Sequence, residues 1–226
     1  MRFFLALMLI SIFCLLAGTE DNRLFTAISQ GKVDDVKHAL LQGADPEAIN
    51  PDTGCTPLAA AVRTGNKDVV DLFFLIESNV NLKDKKGLTA LYHAIAAKKI
   101  GMVKLLLDHK AKINEEDNSK VTPLMYAVDN DQLEITKLLI EKGADLNARD
   151  KNGTTALIYA VAQQKKEMVK LLLERGAFKH YVDNFGNDAL KIATQLKNKE
   201  IIQLLTLRKD TTKPQQKDIQ SLYLFK

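Results

Sequence analysis

The chain has 226 residues, 46% of them apolar and 27% charged, which excludes a disordered polymer and fits one or two folded domains or a single repeat array. The formal charge is only +4, and residues 197–226 carry seven Lys or Arg against three acids; the remainder is close to neutral, which argues against a basic nucleic-acid-binding face. With two cysteines, Cys14 and Cys55, no disulfide framework supports the fold.

Arg2 is followed by an almost wholly apolar run from Phe3 to Ala17, broken by Ser11, and then by Gly18, Thr19 and Glu20. A basic start, an apolar run and small residues form the layout of a signal peptide, assigned here to residues 1–18 with cleavage after Ala17 or Gly18. The run is shorter than the ~20 residues of a membrane span. The chain is therefore expected to be exported, periplasmic or secreted, without membrane insertion after cleavage; the alternative is an anchor through an uncleaved N-terminal segment. The short Phe- and Leu-rich leader points to a bacterial cell. Ile12 and Phe13 precede Cys14, a poor context for lipid attachment, and cleavage leaves Cys55 as the one mature thiol.

Beyond residue 20 a period of 33 governs the chain. Leu58, Leu91, Leu124, Leu157 and Leu190 each lie 33 residues apart; Ala61, Ala94, Ala127, Ala160 and Ala193 keep the same spacing, as do Leu72, Leu105, Leu138, Leu171 and Leu204. Leu24 and Ala27 begin an earlier copy at a spacing of 34, the additional residue falling in the loop from Asn50 to Thr53. A fixed period of this length marks a stack of small units, none able to bury its apolar stripe alone. Six copies are expected, at about 21–50, 51–83, 84–116, 117–149, 150–182 and 183–210, with a tail at 211–226. The tail ends in Ile219, Leu222, Tyr223, Leu224 and Phe225, suited to covering the last copy or to docking on a partner.

Within a copy, Thr56-Pro57 and Thr122-Pro123 place a Thr at a helix N-cap and a Pro at the first helical position, where its missing N–H costs nothing. Thr89, Thr155 and Asp188 keep the cap without the Pro. A short helix follows, about 57–64 in the first of these copies, and then a second at about 67–76, 101–109, 134–142 and 167–175. Gly43, Gly143 and Gly176 terminate second helices in the left-handed conformation, a role that falls to Lys110 in the third copy. Gly54, Gly87, Gly153 and Gly186 occupy the connecting turn, where Lys120 is the exception.

The stretches Gly54-Cys55-Thr56-Pro57-Leu58-Ala59-Ala60-Ala61, Val121-Thr122-Pro123-Leu124 and Gly143-Ala144-Asp145-Leu146-Asn147-Ala148 resemble the ankyrin-repeat family over about residues 21–210. The resemblance implies an all-α fold, a solenoid of about six helix-turn-helix repeats with short β-turn or hairpin tips, acting as a non-catalytic protein–protein interaction scaffold. The family usually has His directly after the Leu of its Thr-Pro-Leu motif; Ala59, Tyr92, Met125, Ile158 and Lys191 stand there, so the hydrogen bonds of that His are expected to be missing and the turns less rigid. Lys191, Gln195, Lys197 and Asn198 make the last copy polar, as an end cap requires.

The same resemblance projects a partner-binding concave face onto Asp52, Thr53, Cys55, Lys85, Lys86, Leu88, Asn118, Ser119, Val121, Lys151, Asn152, Thr154, Asn184, Phe185 and Asn187 from the turns. Arg63, Thr64, Ala97, Asp129, Asn130, Gln163 and Gln195 join them from the first helices. The implied partner is another protein, met by a monomer, with no nucleic acid and no cofactor. The alternatives are an inhibitor or immunity protein blocking a toxic enzyme, and a secreted effector binding host proteins. No catalytic or metal residues are assigned. His38, His93, His109 and His180 share no register in neighbouring copies, so no shared metal site is expected. Cys55, next to a helix N-cap, is the sole candidate nucleophile, with no histidine expected beside it. Asn152-Gly153-Thr154 matches a glycosylation acceptor but reads as an ordinary turn.

Overall fold

The computed structural model describes residues 18–207, all helix and turn with no strand among them. The signal segment up to Ala17 and the tail at 211–226 lie outside the described residues. The chain divides into two compact units, one up to Gly143 and one from Ala144 onward.

The first unit holds four helix pairs: α1 (18–30) with α2 (Val33–Leu41), α3 (Pro57–Thr64) with α4 (Lys67–Leu75), α5 (Ala90–Ala96) with α6 (Ile100–Asp108), and α7 (Pro123–Asp129) with α8 (Leu133–Glu141). The first helices stack α3 on α5 on α7, and the second helices α2 on α4 and α6 on α8. The second unit holds α9 (Ala156–Ala162) with α10 (Lys166–Glu174) and α11 (Ala189–Gln195) with α12 (Lys199–Leu207), with α9 on α11 and α10 on α12. Each unit is thus a stack of helix-turn-helix repeats.

The recurring residues meet in the core for physical reasons. Ala61, Ala94 and Ala127 in the first unit, and Ala160 and Ala193 in the second, are fully buried; a methyl group at these positions lets neighbouring first helices approach. Leu58, Leu91, Leu124 and Leu157 are buried beside them, but Leu190, in the last described pair, remains 39% exposed. In the second helices the periodic Leu is the outer member of its pair: Leu106, Leu139 and Leu172 are fully buried, whereas Leu105 is only half-buried. A step of 100° around the helix carries the following residue deeper into the seam than the periodic one, which is buried at Leu138 and Leu171 but less completely than its neighbour.

The caps are mostly as expected. Thr56, Thr122 and Thr155 accept from the N–H three residues on, and Asp188 does the same from Lys191 at 2.7 Å. Thr89 is the departure: it has the extended cap conformation but makes no such bond. The second helices of the later copies begin one residue earlier than expected, at Ile100, Leu133 and Lys166. Lys110 and Lys120 adopt φ of +65° and +59°, taking the left-handed turns that glycine makes elsewhere.

Candidate functional site

The tips between helix pairs are built on one device. Asp84 Oδ1 accepts from the N–H of Lys86 at 2.8 Å and of Leu88 at 2.9 Å. Asp117 repeats this with Ser119 and Val121, Asp150 with Asn152 and Thr154, and Asp183 with Phe185 and Asn187. In the first tip Asn50 substitutes for the acid, its Oδ1 accepting from Asp52 and Thr53. A side-chain oxygen that satisfies two backbone donors closes the turn without a strand ladder.

Successive tips are stitched through the backbone. Within the first unit Lys85 N–H donates to Gly54 O at 3.2 Å and Asn118 N–H to Lys86 O at 3.4 Å; within the second, Asn184 N–H donates to Asn152 O at 2.8 Å. Asn118 and Asn184, both projected as partner contacts, spend their side-chain amides on the preceding tip, on Lys85 O and Lys151 O. Two copies of the sequence thus use Asn at one register to hold the tips together.

The other projected residues divide by exposure. Asp52, Thr53, Arg63, Lys85, Lys86, Ser119, Asp129 and Asn130 are exposed in the first unit, and Lys151, Asn152, Gln163 and Phe185 in the second. Phe185 is 72% exposed. Leu88, Val121, Thr154 and Asn187 are half-buried. Cys55 departs from its expected place on the open face: it is 5% exposed, because its side chain turns inward against the next copy.

The replaced family His also behaves differently from expectation in one copy. Tyr92 is fully buried, and its hydroxyl lies 2.7 Å from Glu115 O and 2.5 Å from Val121 O, sharing its proton between the ends of the following tip. Its ring meets Tyr126 edge-on at 5.5 Å. Burial, with Asp117 nearby, holds the phenol well above its usual range, so it remains a neutral donor. This tip is braced by a longer side chain rather than loosened.

The structure brings together a group that the sequence left apart. Asp84 Oδ2 lies 2.9 Å from His93 Nε2, and Cys55 arrives from the preceding tip, so that one donor atom from each of the three lies within 4.8 Å of the others. The His93 and Asp84 side chains are 11% and 4% exposed. Burial pushes the His93 imidazole below its usual pKa, the bond to Asp84 opposing that shift. Arg63 Nη1 donates toward Cys55 Sγ at 3.6 Å, and the Sγ–H faces Thr53 O at 3.9 Å. The expectation of no histidine near Cys55 fails because stacking sets the residue before one copy's cap against the residue four after the next copy's cap, not like position against like position. That offset, 38 in sequence from Cys55 to His93, was the available signal.

No helix among the described residues is long and apolar enough to cross a membrane.

Ankyrin-repeat models match residues 24–117, 71–150 and 124–218. A mouse protein named cyclin-dependent kinase 4 inhibitor B is 34% identical over 82 residues, 36% of this chain and 62% of that protein. An ankyrin repeat-containing protein of Schizosaccharomyces pombe is 32% identical over 75 residues, 33% of this chain and 36% of that protein. The mouse 2-5A-dependent ribonuclease is 35% identical over 70 residues, 31% of this chain but 10% of that enzyme. In each case the match spans less than two thirds of the relative.

Proposed function

We propose that this chain, which belongs to the ankyrin-repeat family, is a non-catalytic scaffold that recognises one protein partner outside the cytoplasm. Ankyrin repeats are protein-interaction scaffolds, and proteins built from them are generally non-catalytic. The observation that carries the reading is the stitching of the tips: backbone bonds such as Lys85 N–H to Gly54 O hold exposed side chains at set spacings, so little ordering entropy remains to be lost on binding. Lys86 in the first unit and Phe185 in the second are the anchors we favour, a charge to steer and an exposed aromatic to bury. Export rests on the leader-like residues 1–18.

Affinity capture by the full chain from its own cell envelope identifies the partner. Titration of Phe185→Ala and Lys86→Glu then tests the anchor of each unit, each change expected to weaken binding about tenfold or more. Unchanged affinity in both variants overturns the assignment. A second reading is favoured by the relative whose name is that of a kinase inhibitor: the partner is a toxic enzyme, blocked by the same exposed residues. Rescue of enzyme-poisoned cells by this chain alone distinguishes it from a scaffold, and recovery of the chain outside the cell points instead to an effector of host proteins.

A further inference from the structure

The contact between Asp84 and His93 is not by itself unusual in this chain. Tyr159 hydroxyl donates to Asp150 Oδ2 at 2.8 Å, in the same register, so a first-helix donor closing the tip acid is part of the repeat's architecture. Two departures from the repeat are specific to this place. Position 93 holds an imidazole where the next two copies have Tyr126 and Tyr159, and position 55 holds a thiol where later copies have Leu88, Val121, Thr154 and Asn187. Both departures are metal-ligating side chains, they come from different copies, and they converge on the same carboxylate.

We propose that Cys55, Asp84 and His93 form a binding site for a borderline-soft divalent cation of the zinc class, clamping the tip that ends at Thr56 to the tip that begins at Asp84. Thiolate, imidazole and carboxylate together are the donor set such an ion takes. Bond lengths of about 2.0–2.3 Å in tetrahedral geometry place donors roughly 3.3–3.6 Å apart. The present spread of up to 4.8 Å needs a side-chain adjustment, not a change of fold. Asp84 is already oriented, since Oδ1 is held by two backbone N–H groups and Oδ2 is the oxygen that faces His93. Such outer bonds position a ligand.

On binding, the Cys55 thiol loses its proton to solvent and its sulfur takes up the cation; His93 supplies a neutral ring nitrogen. One thiolate and one carboxylate balance the dication, which leaves the site uncharged. That neutrality removes the repulsion that Arg63 would otherwise exert. Arg63 is exposed and turns to solvent as its sulfur contact is replaced. The fourth position falls to water.

The test is a Co(II) titration of the chelator-treated full chain, followed by Zn(II) competition. One equivalent is expected to produce a thiolate-to-cobalt charge-transfer band and tetrahedral d–d bands, both erased by zinc. Cys55→Val and His93→Gln are expected to weaken binding at least tenfold with helical circular dichroism retained, and Cys14→Ser to leave it unchanged. Peptide mapping of wild-type alkylation supplies a readout that needs no variant: zinc is expected to slow Cys55 labelling by tenfold or more. Absence of the charge-transfer band, its persistence in a folded Cys55→Val, or Cys55 labelling indifferent to zinc overturns the proposal.

Discussion

The tip at Asp84 and the tip at Asp150 follow one design and differ in what closes it. In both, the acid accepts two backbone N–H bonds. In both, the preceding cation reaches the carbonyl 33 residues on, Lys83 to Glu116 O at 2.7 Å and Arg149 to Val182 O at 2.8 Å. In both, an Asn amide from the following copy returns to the tip. The second carboxylate oxygen then meets a phenol at Tyr159 but an imidazole at His93. Repetition therefore identifies which contacts are scaffold, and only the remainder invites a functional reading.

The largest expected effect tests the stitching at the two turn glycines. A Cβ on Gly87, at φ +80°, would meet Asn118 backbone N at 2.6 Å; one on Gly153, at φ +75°, meets chiefly the side chains of Arg149 and Asn184, with Asn184 backbone N at 3.3 Å. Left-handed strain applies to both, but a backbone atom cannot swing aside. Gly87→Ala is expected to cost about 3 kcal/mol and Gly153→Ala about 1–2 kcal/mol, read as urea midpoints. Equal losses would show that the neighbouring backbone is not the deciding contact.

Next comes the shared acid. Asp84→Ala and Asp150→Ala each orphan two backbone donors and are expected to cost about 2 kcal/mol by thermal or urea unfolding. A near-neutral result at either would remove it from the common device. The closing residue follows: Tyr159→Phe is expected to lose about 1 kcal/mol, and His93→Gln, which keeps a donor for Asp84, less than about 0.5 kcal/mol. In the opposite direction, Lys110→Gly and Lys120→Gly relieve positive φ and are each expected to add about 1 kcal/mol.

The smallest effect concerns the cation before the acid. Lys83 also pairs with Glu115 at 2.8 Å, and its hydrogen bond holds that carboxyl below its usual pKa. A depressed carboxyl stabilises the fold above its unfolded pKa and loses that contribution as pH falls through the folded one. Lys83→Met should therefore flatten the acid limb of the stability profile and cost a few tenths of a kcal/mol at neutral pH, the pair being partly exposed. Arg149, bonded to backbone carbonyls, should show no such acid dependence on replacement.

Much of the fold was legible because its determinants are local or periodic. Thr56-Pro57 announces a cap and Ala61 a close approach, and a 33-residue period repeats each statement until chance is excluded. The projected face was legible only as positions. Whether Asn118 reaches a partner or the neighbouring tip, and whether Cys55 faces solvent or core, depends on side-chain direction between copies, which periodicity does not encode.

The amino-acid order alone determined the helix-pair unit, its spacing and its compulsory stacking, since these follow from caps, apolar periodicity and the inability of a single pair to bury its own stripe. Only the tertiary structure decided that Leu106 rather than Leu105 fills the seam, that Tyr92 braces the tip after it, and that Cys55 meets Asp84 and His93. Each of those facts is a relation between residues of different elements, set by how far one helix is rotated and offset against the next.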